Sequence, residues 1–201
     1  MPVYKKADGF TLVEVLVAIS LFALVMITVL DVLLQFGAVH KRSLSSHEAY
    51  DNIGFTMETM SRNILLGYNY HCGSTGTIGS PQDCGAGLSS NFIAFEGQDG
   101  DVSNSTDQVI YCLDTVSHQV LRSTIGSSAG ACSIANANYV PISSQNLQVD
   151  DLKFFVSGTS PSDNFQPKAT IVVSGVTKLP KTQLNTSFFF ETTVSQRILD
   201  L

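Results

Sequence analysis

The most uneven feature of the sequence is an apolar run near its start. Residues 1–9 carry the basic pair Lys5 and Lys6, whereas residues 10–34 are almost wholly apolar and carry no charge between positions 15 and 30. About 20 consecutive apolar residues are enough for a helix to cross a bilayer. The pattern predicts a short basic leader over residues 1–9 followed by a membrane-spanning helix over residues 10–34.

Beyond residue 34 the apolar residues become periodic. They recur mostly at three-, four- and seven-residue steps, which is the spacing of a helix with one buried face. The predicted stripe consists of Leu44, Ile53, Met57, Met60, Ile64 and Leu65. Gly67 is a predicted stop. The helix is therefore expected to continue without interruption to residue 66, with residues 35–66 as its amphipathic part.

The remainder of the chain, residues 67–201, alternates short apolar runs with polar or glycine-containing segments. Strands are predicted over residues 91–95, 109–113, 120–123, 152–156, 170–174 and 187–194. Residues 68–90 are expected to form an irregular loop, and residues 157–167 a hairpin loop. A helix followed by several strands predicts an α+β fold, with an antiparallel β-sheet domain packed against the amphipathic part of the helix.

Composition and charge narrow the range of partners. Only 14% of the residues are charged, against about 25% in a typical soluble domain. The net charge is -6, and the sequence contains no long run of lysines or arginines. A nucleic-acid-binding domain usually has a basic footprint. Nucleic acid is therefore not an expected partner.

The four cysteines predict two disulfides if the domain lies outside the cytoplasm. No two of them are spaced as a C-x-x-C pair, which argues against a zinc ribbon or a thioredoxin-like site. Three pairings are possible, and the sequential one, Cys72 with Cys84 and Cys112 with Cys132, closes the shortest loops. The alternative is four free thiols in a reducing compartment. The positive-inside rule favours the oxidised state, because it places residues 1–9 in the cytoplasm and the rest outside.

A single carboxylate lies within the apolar run. Glu14 follows four residues after the start of the run, and such a charge costs a few kcal/mol in a membrane-spanning helix. Asp31 lies near the far end, where it can reach the interface. A secretory signal would have a shorter apolar stretch followed by a small-residue cleavage site, and neither is present. A plain signal anchor would leave Glu14 unexplained.

The segment KKADGFTLVEVLVAISLFAL resembles the signature of type IV prepilins: a short basic leader, a glycine, then Phe-Thr-Leu-x-Glu and an apolar helix. The resemblance implies that a prepilin peptidase cuts between Gly9 and Phe10 and methylates the new amino terminus of Phe10. It also implies that Glu14 pairs with the amino terminus of a neighbouring subunit during assembly. Asp8 departs from the pattern, since neutral or basic residues are more usual before the glycine.

The resemblance further implies partners and a location. The partners are the peptidase, other pilin or pseudopilin subunits and an inner-membrane assembly platform. The chain is expected to be a single-pass inner-membrane protein with a cytoplasmic amino terminus, and then part of a filament outside the cytoplasm. Its size and its loops are similar to those of the larger minor pilins and type II secretion pseudopilins.

Two other functions remain open at this stage. One is a binding module at the tip of a pilus, an adhesin or a DNA-uptake receptor, which would need an exposed surface such as that around Lys168, Lys178 and Lys181. The other is a signal-anchored enzyme. The sequence contains no nucleophile elbow, phosphate-binding glycine loop or H-E-x-x-H motif, so enzymatic activity is not expected.

One loop has the composition of a cation site. Asp99, Asp101 and Asp107 lie in a glycine-containing segment, and calcium takes six to eight oxygen ligands. The segment does not match an EF-hand loop. A solvated loop is therefore the preferred interpretation, calcium is the alternative, and no cofactor is expected. The histidines are scattered, and His71 is interpreted as incidental.

Overall fold

The computed structural model describes residues 9–85, 87–160, 165–178 and 186–197. The chain divides into two units, with the boundary between Leu44 and Ser45. The first unit contributes the first part of a long helix, and the second unit contains the rest of that helix and all the described strands. Most of the predicted leader lies outside the described residues.

The long helix α1 runs from Leu12 to Leu66. It begins two residues later than the sequence predicts, and it ends where Gly67 was expected to stop it. The reason for glycine at position 67 is close packing. A Cβ atom there would lie 2.4 Å from a ring carbon of Phe95 and 2.8 Å from the Glu96 carbonyl oxygen. Gly67 therefore lets the end of the helix approach the sheet.

One stripe of α1 is buried in the second unit. It consists of Ala49, Ile53, Met57, Met60 and Ile64. Steps of four, four, three and four residues keep these side chains on one face. The prediction is wrong for two residues of the stripe. Leu44 lies in the first unit and is 52% exposed. Leu65 is 40% exposed because its side chain is rotated about 100° around the helix axis from that of Ile64.

In the described part of the chain eight strands form two antiparallel sheets, so the predicted α+β fold is confirmed. The first sheet contains β1 Tyr68–Cys72, β2 Phe92–Glu96, β3 Val109–Asp114, β4 Gln119–Ser123 and β5 Val140–Pro141, in that order. The second sheet contains β6 Leu147–Ser157, β7 Lys168–Thr177 and β8 Ser187–Ser195, also in chain order. All six predicted strands are present, but they belong to two sheets rather than one.

The central strands of the first sheet are covered on both faces. One face joins the helix stripe and the second sheet in the main core. The other face packs under residues 125–139 in a second core that includes Phe92, Ile110, Leu121 and Tyr139. Every residue of β2 and β3 is therefore buried, which explains why these strands are continuous apolar runs without polar alternation.

The interpretation of residues 68–90 as an irregular loop is wrong at its start, where β1 pairs with β2. The sequence pattern did not predict this strand because the strand is irregular. Its register with β2 shifts between Tyr68 and His71, and Asn69 has a φ of 57°. Strand β5 was also missed, since it is only two residues long. Hydrogen bonds to a distant strand define both elements, and these are not visible in local sequence.

Both disulfides join loops to the first sheet. Cys72 at the end of β1 is bonded to Cys84, and Cys112 in β3 is bonded to Cys132. This is the sequential pairing. The second disulfide holds the segment that covers the outer core, so it fastens a stretch with little secondary structure of its own to β3.

Candidate functional site

The first turn of α1 is capped by the chain itself. The Thr11 hydroxyl oxygen accepts a hydrogen bond from the Glu14 backbone N–H at 3.3 Å, and the Thr11 carbonyl accepts one from Val15 at 3.2 Å. Thr11 and Glu14 thus have the spacing of a capping box, S/T-x-x-E. Sequence reasoning assigned Glu14 to assembly and missed that the Thr11 hydroxyl caps the helix at the Glu14 backbone N–H. A carboxylate in the first turn is also favoured by the positive end of the helix dipole.

Apolar side chains in the first unit are exposed. From Phe10, which is 82% exposed, to Val39, all the large apolar residues of this segment lie on the surface. Among the described residues, α1 is the one helix long and apolar enough to cross a membrane, by its length and composition. An apolar surface of this extent requires lipid or protein to cover it.

Phe10 and Glu14 share one side of this helix. They line a shallow groove of about 390 Å³ together with Val15, Ala18, Ile19 and Phe22. The groove is otherwise apolar. It therefore presents one carboxylate beside the position at which the predicted cut would create a new amino group. A carboxylate in such surroundings is stabilised by a cation brought to it, because either charge alone is costly away from water.

The loop after β2 brings together two of the three predicted calcium ligands. Asp107 accepts a hydrogen bond from the Asp101 backbone N–H at 3.0 Å, and Asp101 accepts one from the Ser103 N–H at 2.9 Å. Asp99 is exposed. No group of three or more histidine, cysteine or acidic side chains that could hold a metal occurs in the described part of the chain. Calcium binding by this loop stays a prediction.

Sequence reasoning missed a buried carboxyl group at the start of this loop. Glu96 is fully buried, and one of its oxygens accepts a hydrogen bond from the Gln108 side-chain amide at 2.8 Å. Its other oxygen and one oxygen of Asp107 are buried, and by distance and angle neither has a hydrogen-bond partner among the described residues, although Asp107 lies close enough to raise the pKa of Glu96. Burial raises the pKa of Glu96; the Gln108 amide opposes that shift, and the nearby Asp107 adds to it.

We expect Glu96→Gln to stabilise the protein at neutral pH by about 1 kcal/mol, since an unsatisfied buried acceptor costs about 1–3 kcal/mol. A carboxyl whose pKa is raised by folding stabilises the folded state below its unfolded pKa, and that contribution is lost as pH rises through the folded pKa. The free energy of unfolding of the variant should therefore fall less between acidic and neutral pH than that of the wild type. Denaturant unfolding across that range measures it.

Glu58→Gln is the matched control for this prediction. Glu58 is exposed and pairs with Arg62 at 3.1 Å, so its replacement should leave the pH profile almost unchanged. If Glu96→Gln followed the wild-type profile at every pH, the carboxyl group would not be the source of the pH dependence.

His71 has a structural role that the sequence did not indicate. It is buried, and its two ring nitrogens lie 2.8 Å from the Ser80 carbonyl oxygen and 2.9 Å from the Thr75 carbonyl oxygen. Its neighbour Cys72 is bonded to Cys84. The histidine therefore holds the loop after β1 from inside while the disulfide closes it.

The predicted binding surface of lysines is only partly visible. Lys168 and Lys178 are exposed at opposite ends of β7, and Lys181 lies outside the described residues. The strand between them has ten residues, so the two described lysines do not form one compact patch. The two described lysines therefore do not support the tip-binding alternative.

Comparison with known proteins identifies the amino-terminal segment. The family model for the prokaryotic N-terminal methylation motif matches residues 4–30. This range includes Gly9, Phe10 and Glu14. Searches of curated proteins and of solved structures give no match to the chain. The chain therefore carries the type IV prepilin signature at the start of a long helix, and the motif implies a pilin-like precursor that is processed by prepilin peptidase.

Proposed function

We propose that this prepilin-like chain is a minor structural subunit of a type IV pilus or of a type II secretion pseudopilus. It is inserted in the inner membrane through residues 10–34, cut after Gly9, methylated on Phe10 and added to the filament through α1. The second unit is then displayed outside the cytoplasm. In this role the chain assembles with other subunits and catalyses no reaction.

The observation that carries the proposal is the combination of motif and surface in the first unit. The methylation motif covers residues 4–30, and α1 exposes apolar side chains along this segment with Glu14 as its early carboxylate. Lipid covers such a surface before assembly and neighbouring helices cover it afterwards. The two disulfides of the second unit support a location outside the cytoplasm.

A minor role is supported by the size of the second unit. Two sheets, two disulfide-linked loops and a second core under residues 125–139 make a larger outer domain than a filament-forming helix requires. Such a domain suits a subunit present in few copies, at the tip or the start of a filament.

Mass spectrometry of the amino terminus tests the processing step. When the chain is expressed with a prepilin peptidase, we expect a mature form that begins at Phe10 and carries one methyl group. Gly9→Ala should accumulate as the uncut precursor in the membrane, because the proposed cut follows Gly9. Normal processing of Gly9→Ala would contradict the proposal and favour a plain membrane anchor.

A further inference from the structure

The strand β8 has one free edge. It pairs in continuous antiparallel register with β7 and with no other described strand, so it is the last strand of its sheet in the part of the chain that the structure describes. The Thr186 carbonyl accepts from the Thr177 N–H at one end, and the Gln196 N–H donates to the Pro167 carbonyl at the other. Since hydrogen-bonded pairs alternate in an antiparallel ladder, every second residue between these ends turns its backbone groups away from β7.

Five residues direct their N–H and C=O groups toward this edge. They are Ser187, Phe189, Glu191, Thr193 and Ser195. None of them forms a backbone hydrogen bond along the edge with any described residue. The open stretch ends where the Arg197 N–H donates to the Leu65 carbonyl of α1 at 3.0 Å. The edge therefore has five residues whose backbone groups are available to an added strand, and the contact between Arg197 and Leu65 marks one end of this stretch.

A groove runs beside the Arg197 end of this stretch. It has a volume of about 690 Å³ and lies between α1 and β8. Leu65, Leu66 and Val194 supply its apolar lining, and the Glu58–Arg62 ion pair lies at its rim. Ligand sites in proteins usually measure about 300–1,000 Å³. Side chains on the inner face of an added strand would enter this groove.

Glu191 is the one charged residue that protects the edge of β8 against pairing. Exposed edge strands normally carry charged side chains, especially lysine, or proline, contain a bulge or are very short. The nine residues of β8 include no lysine or proline, and their register with β7 shows no irregularity. Phe189 is 64% exposed on the outer face. Glu191, also exposed, forms no ion pair with a described residue.

We propose that the free edge of β8 docks an extended segment of a different protein, which adds a strand to the sheet and places a basic residue opposite Glu191. Backbone hydrogen bonds would supply the affinity, and side chains the specificity. A second copy of this chain fits less well. The antiparallel register that pairs all five edge residues sets Glu191 opposite its own copy, and like charges placed opposite are destabilising.

The test uses two synthetic peptides and the full chain purified in detergent. Each peptide has nine residues that alternate threonine and valine, with lysine or glutamate at the centre. Binding is measured at low ionic strength, and amide hydrogen exchange locates the contact. We expect the lysine peptide to bind about threefold to tenfold more tightly than the glutamate peptide, and to slow exchange at the five edge amides.

Two variants at position 193 distinguish the contribution of the edge backbone from that of the side chain. Thr193→Pro and Thr193→Val both remove the hydroxyl that bonds to Thr170, but only proline removes the outward N–H. Thr193→Pro should weaken peptide binding by about tenfold relative to Thr193→Val, with the β7 ladder still protected from exchange.

Three results would overturn the proposal: equal binding by the two variants, protection by the peptide at residues away from β8, or self-association of the unliganded chain through the same amides. The last would identify a second copy as the occupant. The measurement does not depend on processing at Gly9, so it stands apart from the proposed filament function.

Discussion

Replacing Glu14 with alanine is expected to leave the chain in the membrane and to exclude it from the filament. The apolar run over residues 10–34 is unchanged in this variant, so insertion should be normal. If Glu14 pairs with the amino terminus of a neighbouring subunit, as proposed, assembly should fail, because that amino terminus would be buried without its partner. An uncompensated buried charge costs about 3–5 kcal/mol, which corresponds to a decrease in incorporation of about a hundredfold or more.

Glu14 occupies the third position of a capping-box sequence, so an effect of its position in the first turn has to be distinguished from an effect of its charge. Glu14→Gln keeps a residue that suits the third position of a capping box and removes only the charge. Thr11→Ala removes the hydroxyl that accepts the Glu14 N–H and keeps the carboxylate, at a cost of about 1 kcal/mol to the first turn. If charge pairing sets the register, Glu14→Gln should fail like Glu14→Ala, and Thr11→Ala should assemble.

Quantitative detection of each variant in sheared filaments and in the membrane fraction measures both steps. Filaments that contained Glu14→Ala at the wild-type level would show that the carboxylate has no role in assembly. Assembly of Glu14→Gln together with loss of Thr11→Ala would instead assign Glu14 to the helix cap alone.

Gly175→Ala should destabilise the second unit by about 3 kcal/mol, at the upper end of the usual cost of overpacking. A Cβ atom at this position would lie 2.1 Å from the Gln148 carbonyl oxygen and 2.8 Å from a ring carbon of Phe188. The first contact is with backbone next to the irregularity between Val149 and Asp151. The strands β6 and β7 would have to separate locally to admit one methyl group.

Gly54→Ala is the matched control for this substitution. Gly54 lies in α1, and a Cβ atom added there meets nothing within 4 Å. The same chemical change should therefore stabilise the protein by about 0.5–1 kcal/mol, because glycine is unfavourable inside a helix. Denaturant unfolding of the full chain in detergent, followed by near-ultraviolet circular dichroism, compares the two. Equal midpoints for Gly175→Ala and the wild type would refute the packing argument.

Local sequence was sufficient for the elements that form from neighbouring residues. The end of α1, four of its five buried stripe residues and the positions of six strands all followed from apolar runs and their period. The assembly motif was equally local, because Gly9, Phe10 and Glu14 lie within six consecutive positions. Residues this close in sequence keep their relationship in any fold that leaves the helix intact.

The buried carboxyl group of Glu96 could not be predicted from the local sequence. Glu96 ends β2 and Gln108 precedes β3, and the antiparallel pairing of Phe95 with Val109 brings the two side chains together. The sequence pointed to the acidic residues of the connecting loop, which are mostly exposed, and not to the one glutamate that the sheet buries. Burial depends on the elements that cover a residue, and those are distant along the chain.

The sequence by itself determined an apolar assembly helix with a processing motif, followed by an α+β domain with paired cysteines. Only the tertiary structure decided that the strands form two sheets, that β2 and β3 are covered on both faces, and that β8 keeps a free edge. The physical reason is the range of the interactions. Hydrophobic period and helix capping act within a few residues, whereas sheet order and edge exposure depend on which distant strands hydrogen-bond to each other.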